Sequence, residues 1–288
     1  MLTCNVMGGL GNQLFQIVTT IALAFRIKHK FIFLYKKVLD SSENVTIRNT
    51  YWDTLLVGFK PFTKQEYPLQ PFVVRENGFK YQDINIPYTP DPNNTLYMLY
   101  GYYQSYKYFD DFYDMIFNKF MKINNIKETV KNKYSYYYEN SISMHFRIGD
   151  YVNLQHMHPI MKYGYYTEAL EYIIKDKKSE CKNILYFCEE KDLEEVTKIV
   201  SKLENEYAKS NIGLKFICVN FQSNDWEQLI MMSLCKHNII ANSTFSWWGA
   251  YLNSNKDKIV CYPETWFGKA STHDVSDLFP PEWKKIDC

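Results

Sequence analysis

An apolar run, His237-Asn238-Ile239-Ile240-Ala241, empties into Asn242-Ser243-Thr244-Phe245-Ser246 and continues at helical spacing through Trp247-Trp248-Gly249-Ala250. Asparagine, serine and threonine sit where helix N-caps sit. The first unbonded N–H groups of the helix point outward there, with the positive end of its dipole behind them. A phosphate fits such a turn. The same residues would also make a plain capped helix ahead of two buried tryptophans, so other segments have to decide.

A second segment, His145-Phe146-Arg147-Ile148-Gly149-Asp150, alternates at a strand's end, which sends His145 and Arg147 to one face and Phe146 and Ile148 to the core on the other. Arg147 can fork onto two phosphate oxygens, and Asp150 can orient the guanidinium or take a proton. The alternative is an Arg–Asp pair that merely closes a turn. His156 and His158 lie close enough in sequence to join in. A third segment, Gly8-Gly9-Leu10-Gly11-Asn12-Gln13, lets backbone approach a ligand closely and leaves two amide side chains at a helix start, with Phe15 and Gln16 behind them as packing residues. It matches neither the spaced dinucleotide fingerprint nor a phosphate-binding loop with Gly-Lys-Ser/Thr. No Asp-x-Asp or close His/Cys set suggests a metal, and Glu189-Glu190 and Glu194-Glu195 read as solvated helix starts.

These segments have to be positioned by something. Residues 2–6 read as a strand, 12–28 as a helix and 31–35 as a second strand, a βαβ opening. From about 40 to 95 six prolines interrupt every pattern, and loops with short strands are expected. A strand is expected at 97–103 and a helix over 106–138. Beyond that the pattern is regular: strands at 141–146, 183–188, 214–219, 238–241 and 258–262 alternate with helices at 165–175, 192–207, 225–235 and 245–253. Such alternation implies α/β architecture with a parallel sheet covered on both faces and ligands at the carboxyl ends of its strands. All three segments follow strands.

With 288 residues and 46% hydrophobic content the chain has material for two domains. A net charge of +1, from 33 basic and 32 acidic residues mixed along the chain, offers no face for nucleic acid. Seven cysteines without a C-x-x-C pair suggest a reducing compartment, and the first residues lack the build of a signal peptide. No run reaches the length of a membrane span, so a cytoplasmic protein is expected. The sequons at Asn44 and Asn242 would then go unused, the second being better explained by the turn.

Read together, Gly8-Gly9-Leu10-Gly11-Asn12-Gln13-Leu14-Phe15-Gln16, His145-x-Arg147-x-Gly149-Asp150-Tyr151 and 232–250 resemble the α1,2-fucosyltransferase family, and more distantly the α1,6- and protein O-fucosyltransferases. The resemblance implies a GT-B fold: two Rossmann-like lobes with a nucleotide-sugar cleft between them. It also implies inversion at the anomeric carbon, no metal and no cofactor beyond the co-substrate, GDP-L-fucose. The partners would be that nucleotide sugar and a glycan acceptor, with transfer to a hydroxyl, the 2-OH of galactose. The lobes would be 1–138, on the acceptor side, and 139–270, with a tail at 271–288 packing back on the first.

Carried over by position, Arg147 would neutralise the departing β-phosphate, and His145 would contact the nucleotide. Asn242, Ser243, Thr244, Phe245 and Ser246 would surround the diphosphate, and Gly9, Gly11, Asn12 and Gln13 would approach the sugar and phosphates from the other lobe. Asp150 is the nearest motif carboxylate for a general base. Two departures stand out. Ile148 replaces a second arginine, and Gln228, nine residues before His237, replaces a carboxylate expected to meet guanine. An amide suits uracil's alternating donor and acceptor better, unless Asp225 or Glu227 compensates. A UDP-sugar transferase is therefore an alternative, and a catalytically silent glycan-binding module is another, although sugar binding alone needs no diphosphate site. The sequence leaves the oligomeric state open.

Overall fold

The computed structural model describes residues 1–39, 47–91, 94–209 and 213–287; the Asn44 sequon lies outside them. The chain divides into two compact units, Met1–Ile126 with His273–Pro280, and Lys127–Thr272 with Pro281–Cys288.

In the first unit, β1 (Leu2–Cys4) leads through the glycine turn into α1 (Leu10–Arg26). Fourteen of the seventeen residues of α1 are buried, among them the polar Gln13, Gln16, Thr19 and Thr20. The expected second strand is shorter than its apolar run suggests. After one parallel bridge from Phe31 to Leu2 the chain leaves the sheet, and β2 (Phe33–Leu34) pairs instead with β5 (Thr63–Lys64). A two-residue pair, β3 (Val38–Leu39) with β4 (Arg48–Asn49), is antiparallel. The neighbours of β1 come from further along the chain: β7 (Leu96–Tyr100) lies beside it and β6 (Pro71–Arg75) beside β7, all parallel. The proline-rich stretch thus supplies short strands and turns, as expected. The helix expected over 106–138 is broken into 3-10 and π turns across Tyr106–Phe120, followed by α2 (Ile123–Lys133). Lys122, with a left-handed φ of 55°, marks the break.

The second unit carries the regular alternation. In chain order it contains β8 (Ser141–His145), α3 (Tyr163–Glu171), β9 (Asn183–Phe187), α4 (Leu193–Ala208), β10 (Lys215–Cys218), α5 (Asp225–Leu234), β11 (His237–Ile239), α6 (Thr244–Tyr251), β12 (Val260–Pro263) and β13 (Lys284–Ile286). All six strands are parallel in the order β10-β9-β8-β11-β12-β13. Relative to the first strand, β8, the sheet runs 3-2-1-4-5-6, the order of a doubly wound nucleotide-binding sheet. The order reverses between β8 and β11, where the connections diverge to opposite faces and leave a crevice at the carboxyl ends.

One face of β8 sends Ile142 and Met144 into the core, followed by Phe146 and Ile148 beyond its end, against Tyr165, Tyr166 and Ile184. The expected alternation holds, and Ile148 packs into this core. On the other face Ser143 accepts from the amide of Asn238 on β11 at 2.7 Å. The sequence patterns did not reveal β13: its two lysines are exposed and only Ile286 is buried. The tail therefore has two fates, His273–Pro280 in the first unit and β13 in the second sheet.

Candidate functional site

Arg147 leaves the end of β8 with its guanidinium against Asp150 on one side and Glu189, just past β9, on the other. It also lies over the Tyr151 ring, 5.1 Å from the centroid. Burial opposes its charge, but the carboxylates of Asp150 and Glu189 outweigh that and hold it firmly protonated. Glu189 is shared: its other oxygen takes Lys191 at 2.8 Å. Glu189 sits at a solvated helix start as expected, the N-cap of a 3-10 turn with its side chain 42% exposed, and the parallel pairing of β8 and β9 also brings its carboxylate to Arg147. Asp192, buried, accepts from the backbone N–H of Gly149 at 2.8 Å and fixes the loop that follows Arg147.

Tyr151 joins this loop to the turn after β11, its hydroxyl donating to the Asn242 carbonyl at 3.1 Å. His158 stacks on Tyr151 with ring centroids 4.7 Å apart, and so supports that tie, whereas His156 is exposed. In the turn itself Ser243 is the N-cap of α6, its hydroxyl accepting from the Phe245 N–H at 3.3 Å. Thr244 and Phe245 are half-buried. Asn242 and Ser246 turn inward. Both amide hydrogens of Asn242 are bonded, to the carbonyls of Pro159 at 2.9 Å and Trp266 at 3.1 Å. The Ser246 hydroxyl donates to the Ser243 carbonyl at 3.3 Å, and the residue is 1% exposed. These two side chains build the turn, with Asn242 Oδ1 buried and without a hydrogen-bond partner. Trp247 and Trp248 are fully buried behind it and seat the capped helix in the core.

His145 stands between the two loops, its ring 5.5 Å from that of Phe245. Burial, reinforced by the Arg147 charge, pulls its pKa down to about 3, so the imidazole is neutral. Its Nδ1 is buried without a protein partner. Gln228 on α5 is half-buried, with a single long contact from Nε2 to the Ser223 carbonyl at 3.4 Å. Glu227 cannot substitute for it. Its carboxylate closes the capping box with Asn224 and takes Lys133 at 2.7 Å and the Tyr134 hydroxyl at 3.0 Å. The Asp225 carboxylate accepts from the Trp226 N–H at 2.7 Å at the exposed start of the helix.

In the first unit the glycine turn is held from within. Gln16 makes a two-point clasp with Met7, accepting from its N–H at 2.9 Å and donating to its carbonyl at 3.2 Å. Gln13, fully buried, donates to the carbonyls of Gly8 at 3.0 Å and Asn49 at 2.8 Å. Gln13 thus buttresses the turn through its amide hydrogens, while its Oε1 is buried without a hydrogen-bond partner. Gly8 has φ of 79°, and a Cβ there would meet the Asn12 amide at 2.7 Å, so glycine is required. Above Gly9, which caps α1, there is open space; Gly11 is buried in the first turn. Asn12 accepts from Gln104 at 3.0 Å. Glu76, just past β6, receives the N–H groups of Tyr102 at 2.7 Å and Tyr103 at 2.8 Å, and burial lifts its pKa to about 7. Sequence reasoning missed Glu76, Gln104, Glu189 and Asp192, because each acquires its role from a partner distant in the chain.

Among the described residues no group of three His, Cys, Asp or Glu side chains gathers as a metal site. No described helix is long and apolar enough to cross a membrane. The six described cysteines are unpaired thiols.

Residues 1–287 match the family described as Glycosyl transferase family 11. The chain belongs to that family. The glycosyltransferase is 29% identical over 293 residues to the O-antigen biosynthesis glycosyltransferase WbnK of Escherichia coli, covering 90% of this chain and 93% of that one. It is 30% identical over 190 residues to an alpha-1,2-colitosyltransferase of Escherichia coli, covering 65% of this chain and 61% of the relative. Among solved structures, POFUT1 in complex with GDP-fucose superposes with a TM-score of 0.51 at 8% identity, over 91% of this chain and 97% of that one. A mutant of Arabidopsis thaliana FUT1 in complex with GDP gives 0.50 at 10% identity, over 92% and 71%. These likenesses show the GT-B-like fold, and the motif resemblance to the fucosyltransferases stands.

Proposed function

We propose that this glycosyltransferase moves L-fucose from GDP-fucose, with inversion, to a hydroxyl of a galactose-containing glycan, the 2-hydroxyl in particular. The observation that carries the reading is the placement of Arg147 and the Ser243–Phe245 turn at the carboxyl ends of adjacent strands β8 and β11, at the reversal of the sheet order. A guanidinium and a helix N-terminus aimed at one crevice neutralise a leaving diphosphate, the task a divalent cation performs in other transferases. In this reading His145, held neutral, serves as a hydrogen-bonding group to the nucleotide. Asp150 orients Arg147 and is the candidate base. The colitosyltransferase relative supports a deoxy-sugar donor and an α1,2 linkage, colitose being fucose without its 3-hydroxyl.

Gln228 favours a second reading, a uracil-linked donor, because an amide stands where a carboxylate would face guanine's two adjacent donors. Calorimetry with GDP, UDP, GDP-fucose and UDP-galactose on the wild type and Gln228→Asp separates the two. The guanine reading expects GDP and GDP-fucose to bind the wild type, and Gln228→Asp to tighten GDP by about tenfold through a charge-assisted bond. Binding of UDP alone, weakened by the same substitution, would overturn it.

A further inference from the structure

The helix that opens at the anion turn ends on two ammonium groups. Lys258 Nζ donates to the carbonyls of Ala250 at 2.9 Å, Tyr251 at 3.4 Å and Asn253 at 2.8 Å. Lys127 Nζ donates to the Leu252 carbonyl at 2.6 Å and the Ser254 hydroxyl at 3.3 Å. The last turn of α6 has no basic residue of its own, so both charges come from elsewhere: Lys127 from α2 and Lys258 from the segment entering β12. Lys127 is 5% exposed, and its acceptors are neutral oxygens. Burial and the neighbouring Lys258 charge lower its pKa to about 8, which leaves it mainly charged at neutral pH.

Ending a helix needs only a glycine, an asparagine or one exposed lysine. Burying an ammonium beside a second one is an unfavourable way to do it. The arrangement has a different consequence. A helix carries about half a positive charge at its N-terminus and half a negative charge at its C-terminus, and at ~12 Å long α6 lets each pole weaken the field of the other. Two cations on the C-terminal carbonyls cancel the negative pole and leave a positive one, along a helix whose Trp247 and Trp248 are sealed from water.

We propose that Lys127 and Lys258 are positioning residues for the anion turn, cations seated at the far end of α6 that strengthen the hold of its N-terminal turn on the diphosphate of the nucleotide sugar. This rests on the reading of that turn as the diphosphate site.

The test compares GDP, GMP and guanosine by calorimetry on the full chain carrying Lys258→Gln, Lys258→Arg or Lys127→Met, with circular dichroism to confirm the fold. UDP, UMP and uridine replace them if uracil is the base bound. The expected result is a loss of about three- to tenfold in GDP affinity for Lys258→Gln and for Lys127→Met. The loss should be smaller for GMP and absent for guanosine, with Lys258→Arg restored to the wild-type value. Equal losses for GDP and guanosine, or unchanged GDP affinity in a folded variant of either lysine, would reduce the lysines to ordinary helix caps and overturn the proposal. If the wild type binds neither GDP nor UDP, the reading of the turn itself fails and takes the proposal with it.

Discussion

Single side chains in this protein are tuned chiefly by their company. Asp150 and Glu189 flank the Arg147 cation, and burial, reinforced by that charge, keeps its neighbour His145 neutral. His237 is neutral for a parallel reason, with burial drawing its pKa down to about 4, but its ring is spent on structure. Nδ1 accepts from the Ile259 N–H at 3.0 Å, and Nε2 meets the Ser179 hydroxyl at 2.9 Å. Both shifts bear on stability. Below about pH 6.5 the unfolded chain protonates these histidines while the folded chain does not, so stability is present above that pH and is lost as the pH falls toward the folded values. The slope is about 1.4 kcal/mol per pH unit for each histidine. Urea unfolding at pH 7, 6 and 5 should show each histidine's share of the loss as the difference between wild type and His145→Gln or His237→Gln, because Glu76, whose pKa is lifted to about 7, contributes an opposing gain over the same range. A slope identical to wild type in both variants would contradict the buried, neutral assignment.

The elements gain their function from close approach. The α6 turn has its place because α5 and α6 pack backbone against side chain at Gly249, where a Cβ would meet Met232 Cβ at 2.7 Å and its sulfur at 3.1 Å. Asn238 and Asn253 pin the strand before α6 and the segment after it, the Asn253 amide donating to Asn238 at 2.8 Å and to the Cys235 carbonyl at 2.7 Å. Gly249→Ala should therefore push α6 from its seat at a cost of about 1–3 kcal/mol and lower the thermal midpoint by several degrees. Differential scanning calorimetry reads this directly. An unchanged midpoint would mean that Met232 yields easily and that the helix is not held in the way described.

At the scale of the whole molecule, strands and helices that bury one face announced themselves, and so the alternation of the second unit was legible almost element by element. The three motifs were legible as well, because turn chemistry is local: caps, glycines and a strand-end arginine carry their meaning in a few consecutive residues. What could not be read is what the topology creates. Nothing near Glu189 in sequence points to Arg147, since their meeting depends on β8 lying beside β9. Lys127 sits in a polar helix with no local sign of its burial among α6 carbonyls. At Gln13 the sequence shows an amide at a helix start but not the Asn49 carbonyl to which it donates. Short strands such as β3 and β13 lack the length for a period to show.

The central claim is that Arg147 and the α6 turn neutralise the leaving diphosphate without a divalent cation. The decisive measurement is the rate of sugar transfer from GDP-fucose in excess EDTA, for the wild type, Arg147→Ala and Arg147→Lys, each shown to be folded. The account predicts wild-type transfer undiminished by EDTA. It predicts a loss of about a hundredfold or more for Arg147→Ala, or about 3 kcal/mol of barrier, and little recovery with lysine, which lacks the fork. Transfer abolished by EDTA and restored by Mn²⁺, or a folded Arg147→Ala enzyme working near the wild-type rate, would contradict it.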